Sequence, residues 1–308
     1  MTLQTQNLDI GVGSIGEAVL TRQTAASIFQ RRWKWQSVAG VATLIVIGSI
    51  FLFPILWAGL SSLMSTNDIL HHRYPLSWES IFPIRPTLEN YALLFGQIDF
   101  QRNLVNTLIA GAGQVSLAVI TSTMAGYAFA RLRFPGRDIV FALLLVTAFI
   151  QVEVIIVPLY KVVQSLGLTS TYAALFLPFA CSPFGIYLMR QSFRDIPIEL
   201  EEAARIDGAG PARVFFRIAL PNVKPAIATL VLIQFIWSWN AYLWPLVIMQ
   251  DPEKQIAQVL IAGLKSSPNF PMDGPMLAAA TTVTLPLVFL SMLLQRYYVR
   301  GLVTSGLR

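Results

Sequence analysis

The residues of this chain that could do chemistry favour binding over bond-making. Nucleophile, base and acid do not cluster as a catalytic set would, so we expect no catalytic residues. The carboxylate of Glu153 stands inside an apolar run, and the amide of Asn240 stands among aromatic side chains, namely Trp237, Trp239, Tyr242 and Trp244. Aromatic faces with a few polar groups suit a sugar's C–H surfaces and hydroxyls. We therefore predict a substrate path lined by Asn240, Trp239, Tyr242 and Glu153.

Simpler explanations of these residues stay open. The aromatic side chains could form the belt that marks a membrane–water interface. Glu153 could reach water at that interface, whereas a carboxylate at membrane depth usually faces a cavity or a partner. The polar residues of the following set are expected mainly to form hydrogen bonds between helices: Asn103, Asn106, Gln114, Thr121 and Ser122.

A second, more polar segment has a fixed spacing of residue types. Gly208 can adopt the left-handed conformation that closes a helix. Pro211 suits the first turn of the next helix, and Pro221 predicts its end. We therefore predict a two-helix hairpin over about 195–221. Its residues follow the pattern E-A-A-x3-G-x9-I-x-L-P, formed here by Glu202, Ala203, Ala204, Gly208, Ile218, Leu220 and Pro221.

The composition places these features in a membrane protein. Of the 308 residues, 55% are hydrophobic and 12% are charged, and the mean hydropathy is +0.61. Soluble domains carry roughly 25% charged residues. The net charge of +6 is spread out, without a basic cluster interleaved with aromatics, so we expect no nucleic-acid partner. Cys181 is the single cysteine, which excludes an internal disulfide.

Apolar runs predict an all-α, polytopic membrane protein with six transmembrane helices. The first run is longer than the ~7–15 apolar residues of a secretory signal, so we expect it to stay uncleaved. We expect residues 1–32 to form a flexible cytoplasmic tail and residues 33–308 to form the transmembrane domain. Each run approaches or exceeds the ~20 residues that cross a bilayer, and the runs cover about 38–60, 104–130, 138–160, 171–190, 225–249 and 276–295.

The distribution of lysine and arginine predicts the orientation. With the amino terminus inside, sixteen of the 22 basic residues lie in inside segments and six in outside loops. An excess of basic residues is typical of cytoplasmic segments. We therefore expect both termini and the hairpin in the cytoplasm.

The spacing of the hairpin residues resembles the coupling motif of ABC-importer permeases. From about Trp33 to its end, the chain resembles permeases of the carbohydrate-uptake group of that family, which includes the maltose and glycerol-3-phosphate transporters. Within such a transporter, it resembles the smaller of the two permease subunits. Further stretches that carry the resemblance are Tyr127–Gly136 (YAFARLRFPG), Trp239–Pro245 (WNAYLWP) and Arg300–Leu302 (RGL).

This resemblance implies the ABC type I importer permease fold, with a cytoplasmic coupling helix that docks in a cleft of an ATPase subunit. Glu202 would supply an ion pair or a helix cap there. The implied partners are a second homologous permease, two ATPase subunits, an extracytoplasmic substrate-binding protein and the lipid of a prokaryotic plasma membrane. Because no lysine follows a glycine, the chain lacks a P-loop. We therefore expect a transport subunit, not an enzyme, without its own cofactor, and with ATP and Mg on the ATPase subunits.

Other functions stay open from the sequence. An ion-coupled secondary transporter would need charged residues within several membrane helices, and Glu153 alone does not meet that requirement. That function also leaves the hairpin unexplained. An intramembrane enzyme would need clustered His, Asp or Ser. We expect no metal at His71-His72 beside Asp68, and no nucleotide at the G-x-G-x-x-G letters of residues 11–16, which no βαβ unit surrounds.

Overall fold

The computed structural model describes residues 40–71, 82, 85–265 and 273–305, and these residues form helices and turns without a strand. The chain divides into two units, residues 1–57 and 58–308. The described part of the first unit is residues 40–57, which belong to helix α1 (Gly40–Ser61). The most apolar stretch of α1 has a mean hydropathy of 2.4, and none of its residues is buried. The predicted tail over 1–32 and the residue His72 lie outside the described residues.

The helices of the second unit follow α1 in chain order. A π-helical turn over Phe215–Ala219 and 3-10 turns over Leu177–Phe179 and Pro252–Lys254 lie between them. The helices are α2 (Thr66–His71), α3 (Glu89–Gly96), α4 (Phe100–Arg131), α5 (Arg137–Thr147), α6 (Val152–Ser165), α7 (Tyr172–Phe176), α8 (Pro183–Arg194), α9 (Ile198–Ile206), α10 (Pro211–Val214), α11 (Leu220–Asn222), α12 (Lys224–Trp239), α13 (Leu243–Ile248), α14 (Ala257–Lys265) and α15 (Asp273–Ser305).

In the described part of the chain, three helices are long and apolar enough to cross a membrane, namely α1, α4 and the Asp273–Leu293 part of α15. Three bent helix pairs bring the number of spans to as many as six. The pairs are α5 with α6, α7 with α8, and the α10–α11 segment with α12, bent by 103°, 49° and 75°. These elements confirm the predicted all-α fold with six membrane spans.

Three of the predicted spans are interrupted. The span predicted over 171–190 is broken between the 3-10 turn Leu177–Phe179 and α8, with a bend of 49°. The span predicted over 138–160 is broken at residues 148–151, between α5 and α6. The span predicted over 225–249 is broken at residues 240–242, between α12 and α13, so the prediction of one continuous helix there is wrong. Pro245 explains the break between α12 and α13, because a proline has no N–H and its ring collides with the helical carbonyl four residues earlier.

The long helix α4 packs along α8 and α12 in the second unit, and small residues permit its close approach to α8. A Cβ added to Gly126 would lie 2.6 Å from the Cβ of Met189 and 2.9 Å from the backbone nitrogen of Arg190. A Cβ on Gly185 of α8 would meet the hydroxyl of Ser122 at 2.5 Å. The two helices therefore approach each other where neither glycine has room for a side chain.

Asparagines near the start of α4 fix the loop that follows α13. Asn103 donates its amide to the carbonyl of Gln255 at 2.8 Å, and Asn106 donates to the carbonyls of Glu253 and Gln255 at 2.8 and 3.0 Å. Within the loop, the Glu253 amide donates to Asp251 and holds the pKa of that carboxyl below its usual range. These bonds tie α4 to the backbone of the loop between α13 and α14.

We expect Gly126→Ala to destabilise the folded protein by about 1–3 kcal/mol, because a methyl group overfills the α4–α8 contact. Gly111→Ala on the same helix is the matched control, since its new Cβ would lie an ordinary 3.8 Å from the Ser238 hydroxyl. Thermal unfolding of the purified protein in detergent measures both variants. Equal unfolding temperatures for the two variants would show that the close approach is not a constraint.

Candidate coupling surface and solute cavity

The predicted hairpin is present in the structure. Helix α9 ends at Ile206, and Gly208 follows in the left-handed region with φ +81°. Helix α10 begins at Pro211. The predicted roles of Gly208 in closing one helix and of Pro211 in starting the next are therefore confirmed. A Cβ on Gly208 would have no neighbour within 4 Å, so backbone conformation, not space within this chain, requires glycine here.

The prediction that Pro221 ends the second helix is wrong. Pro221 lies inside α11, which continues to Asn222, and the preceding turn Phe215–Ala219 is π-helical. A π-helical turn is wider than an α-helical one, so it accommodates a residue that has no N–H and a bulky ring. The helical path stops at Val223, where the chain bends into α12.

The outer face of the hairpin exposes acidic, small and apolar residues. Glu202 and Ala203 are exposed, and Ala204 is half-buried. Ile206 is 86% exposed, and Phe216 on the second arm is also exposed. Alanines allow a partner to come close to the α9 backbone, and contact would remove the two large apolar side chains from water. This face therefore has the composition of a docking surface.

The inner face attaches the hairpin to the helices above it. Ile218 and Leu220 are half-buried, whereas Pro221 is exposed. Leu220 packs against a buried cluster that includes Met189 and Phe193 of α8. In this chain, Leu220 therefore anchors the hairpin, and the exposed outer face is formed by other residues.

A buried carboxylate links the hairpin to α4. Glu201 is 1% exposed, and its Oε1 accepts a hydrogen bond from Nε of Arg131 at 2.8 Å. Arg131, whose side chain is 8% exposed, also donates from Nη2 to the Ile196 carbonyl at 2.6 Å. The Tyr127 hydroxyl donates to Glu201 Oε2 at 3.1 Å, and Arg205 Nη2 lies 3.9 Å from the same oxygen. Two elements far apart in sequence are therefore joined by a satisfied ion pair.

Glu201 has no predicted role in the sequence pattern, whereas the neighbouring Glu202, which is predicted to contact the ATPase subunit, is exposed. A signal was present, because Tyr127 and Arg131 are four residues apart on α4 and so share one helix face. Glu201 and Arg205 share a face of α9 for the same reason. The spacing alone does not show that these two faces meet.

Two adjoining cavities lie beside the middle of α4. One has a volume of about 420 Å³ and the other about 650 Å³, within the range of small-molecule sites. Glu153, Gln114 and Trp237 line both cavities. Glu153 and its neighbour Val152 reach the cavities because α6 begins there, after the break that follows α5.

Of the four residues predicted on the substrate path, three line a cavity. Asn240 and Tyr242 lie at the break after α12 and line the smaller cavity together with Glu153. The Asn240 amide donates to the Ile236 carbonyl at 2.8 Å, and its Oδ1 accepts no hydrogen bond from the described residues. Trp239 lies elsewhere, because its buried indole donates to the Val283 carbonyl on α15 at 2.9 Å.

Of the polar residues predicted to form bonds between helices, most bind neighbouring segments, and Gln114 does not. The Thr121 hydroxyl donates to the Ala180 carbonyl at 2.6 Å, and the Ser122 hydroxyl donates to the Ser182 carbonyl at 3.5 Å. The asparagines bind the loop after α13. Gln114 differs, because its Nε2 is buried and has no hydrogen-bond partner among the described residues. The predicted use in bonds between helices is confirmed for Asn106, whose Oδ1 accepts a hydrogen bond from the Tyr172 hydroxyl of α7 at 2.7 Å, whereas Thr121 and Ser122 bond the backbone between α7 and α8.

A family described as "Binding-protein-dependent transport system inner membrane component" matches residues 102–304. The match covers more than half of the chain and includes the hairpin, the cavities and α4 from its first turn. The chain belongs to this family of transport-system permeases.

Relatives support the assignment over most of the permease. The arabinooligosaccharides transport system permease protein AraQ of Bacillus subtilis is 31% identical over 268 residues, covering 86% of this chain and 93% of AraQ. The sn-glycerol-3-phosphate transport system permease protein UgpE of Brucella abortus is 36% identical over 275 residues, covering 85% of this chain and 94% of UgpE.

Solved structures show the fold of the permease. A chain of a bacterial ABC transporter for import of the acidic polysaccharide alginate aligns with a TM-score of 0.73 at 24% identity, covering 85% of this chain and 96% of that one. A chain of the bacterial alginate ABC transporter in complex with its pentasaccharide-bound periplasmic protein aligns with a TM-score of 0.60 at 17% identity, covering 84% and 92%. These likenesses confirm the predicted ABC importer permease fold.

We expect Glu201→Gln to lower the free energy of unfolding of the permease by about 3–5 kcal/mol, because the buried Arg131 guanidinium loses its counter-charge. Glu202→Gln is the adjacent control and should change stability by no more than about 0.5 kcal/mol, because Glu202 is exposed. Thermal unfolding of the purified protein gives both values.

The pair itself is tested by the double variant Glu201→Gln/Arg131→Gln. If the two side chains interact directly, its destabilisation should be smaller than the sum of the two single effects. Additive effects would show that each side chain stabilises the permease independently.

Proposed function

We propose that this chain is the permease subunit of an ATP-driven ABC importer and forms half of the translocation path for a sugar or a sugar-like solute. The observation that carries the proposal is the hairpin. Its outer face is exposed, and its inner side is joined to the long helix α4 by a buried ion pair. Family membership and the relatives named for arabinooligosaccharide and glycerol-3-phosphate transport agree with this function.

The hairpin is proposed to dock on an ATPase subunit. Glu202 would face a basic group or backbone N–H groups of that subunit, while Ile206 and Phe216 would become buried. Gly208 would keep the turn compact enough to enter a cleft. Leu220 and Ile218 would transmit the load to the helices, because they lie on the inner side.

The work of transport would pass along α4. This helix carries Gln114 at the cavities and Arg131 at the hairpin, about 25 Å apart along the helix axis. When the ATPase subunits close on ATP, the docked hairpins would move, and the permease helices would follow as rigid bodies. The cavity would then open alternately to the two sides of the membrane.

The partners follow from this mechanism. We expect a second homologous permease, two ATPase subunits that hold ATP and Mg, and an extracytoplasmic substrate-binding protein. The alginate structure with its periplasmic protein is an example of the last contact. This chain would hold no cofactor, catalyse no reaction of its own and bind no nucleic acid.

The proposed location is the plasma membrane of a prokaryote, with the chain in contact with lipid. Both termini and the hairpin would face the cytoplasm. The family description names an inner membrane component, and the sixteen basic residues expected on the cytoplasmic side, against six outside, agree with this orientation.

One observation favours a second function, that of an ion-coupled secondary transporter. The carboxylate of Glu153 lines both cavities, and intramembrane carboxylates often bind protons or cations. Uptake that persists in proteoliposomes without any ATPase subunit, driven by a proton or sodium gradient, would support that function and contradict ours.

We expect Gly208→Asp to abolish sugar uptake while the protein still inserts and folds. Gly136→Asp is the matched control, because Gly136 at the α4–α5 turn has φ +78° and also has no neighbour within 4 Å of an added Cβ. Both variants therefore carry the same backbone strain and the same new charge. Uptake and ATP hydrolysis by the reconstituted complex are the measurements.

The outcomes of this comparison are distinct. Loss of uptake in Gly208→Asp with retention in Gly136→Asp assigns coupling to the hairpin. Equal loss in both would mean that strain in the turns is responsible, and normal uptake in Gly208→Asp would contradict docking at this turn.

A further inference from the structure

The two cavities carry an acidic group without a basic one. Among the described residues that line them there is no lysine, arginine or histidine, whereas Glu153 lines both. The helices of the wall carry basic residues at their ends, Arg102 and Arg131 on α4 and Lys224 on α12. Lys161 of α6 lies about 12 Å beyond Glu153 along the helix. An anionic solute would therefore meet a carboxylate on this wall and no counter-charge.

The carboxylate of Glu153 is available to a ligand. Glu153 is exposed to the cavities and forms no ion pair among the described residues. An ionised carboxylate accepts several hydrogen bonds and donates none. The hydroxyl groups of a sugar are suitable donors, and hydrogen bonds to a charged acceptor belong to the stronger class.

Gln114 is a second, independent observation at the same place. The residue is 3% exposed, its Nε2 has no partner among the described residues, and it lines both cavities. A buried donor without a partner destabilises the protein that contains it. A ligand oxygen, such as a sugar hydroxyl or ring oxygen, would satisfy this donor.

Trp237 adds an apolar surface to the same cavities. Its exposed indole lines both cavities, and Phe179 packs edge-on against it at 5.6 Å between ring centroids. The flat indole face suits the C–H surface of a pyranose or furanose ring. Phosphate and carboxylate groups are instead bound by arginine, lysine and converging backbone N–H groups. No arginine or lysine is among the described residues that line these cavities.

We propose that the wall formed by Glu153, Gln114 and Trp237 binds an uncharged saccharide and disfavours anionic sugars. Glu153 accepts hydrogen bonds from the hydroxyls, Gln114 donates one, and Trp237 covers the apolar ring face. The inference rests on the proposed function, because it requires the cavities to lie on the solute path. It separates this permease from relatives named for glycerol 3-phosphate and from the importer of acidic alginate.

The test is equilibrium binding of three probes to the purified complex of this permease with its partner permease and ATPase subunits, without the binding protein. The probes are arabinotriose, which is neutral, and sn-glycerol 3-phosphate and an alginate trisaccharide, which are anionic. Indole fluorescence reports binding, and Trp237→Phe should remove the signal. Uptake of the same probes is measured in proteoliposomes with the binding protein present.

We expect arabinotriose to bind at least tenfold more tightly than either anion. Glu153→Gln should weaken its binding at least fivefold and strengthen binding of the anions, because one charged acceptor oxygen is replaced by an amide N–H donor and the repulsive charge is removed. Glu89→Gln, an exposed change on α3 away from the cavities, is the matched control and should alter neither.

Two results would overturn this inference, and a third would also overturn the proposed function. Binding of an anionic probe as tight as that of arabinotriose would overturn the neutral preference and leave the importer function intact. Uptake of arabinotriose that is insensitive to Glu153→Gln and Trp237→Phe would remove this wall from the path. Absence of both binding and ATP-dependent uptake for all three probes would contradict the proposed function itself.

Discussion

The buried contact between the Glu201 carboxylate and the Arg131 guanidinium joins the hairpin to the membrane helices, and the rest of the structure depends on it. Removing two charges from water is unfavourable unless their geometry is good and their remaining groups are satisfied. Here the Tyr127 hydroxyl and the Ile196 carbonyl complete the network. The hairpin is therefore held to α4 at a defined angle, because shifting it would leave a charge buried without a partner.

Helix α4 gives this contact its reach. It is unbroken from Phe100 to Arg131, and Gly126 lets it pack tightly on α8. A displacement at the hairpin would therefore be transmitted to Gln114 at the cavities, since a packed helix resists bending. The neighbouring elements are broken at residues 148–151 and 240–242, beside the same cavities. Because α4 is continuous and its neighbours are interrupted, the cavity wall formed by α4 could move relative to the walls formed by the interrupted segments.

The charge distribution adds a chemical constraint to this mechanical one. Basic residues stand near the ends of α4 and at the start of α12, whereas Glu153 is the charged group on the cavity wall among the described residues. Permeases with similar folds and related sequences are named for neutral and for anionic solutes. On the proposed function, this common architecture would leave the choice of solute to a few side chains that line the cavities.

The sequence by itself determined the fold class and the hairpin, because apolar run length and the Gly208 and Pro211 signals are local properties of the chain. It also marked Asn240, Tyr242 and Glu153, which line a cavity. It could not place Trp239, whose indole binds α15, since hydropathy does not tell which face of a helix meets a partner. It likewise did not show that Glu201 would be buried against Arg131, and it predicted one helix where α12 and α13 are separated by a break. Only the tertiary structure decided these points, because burial and ion pairing depend on residues that are distant in sequence.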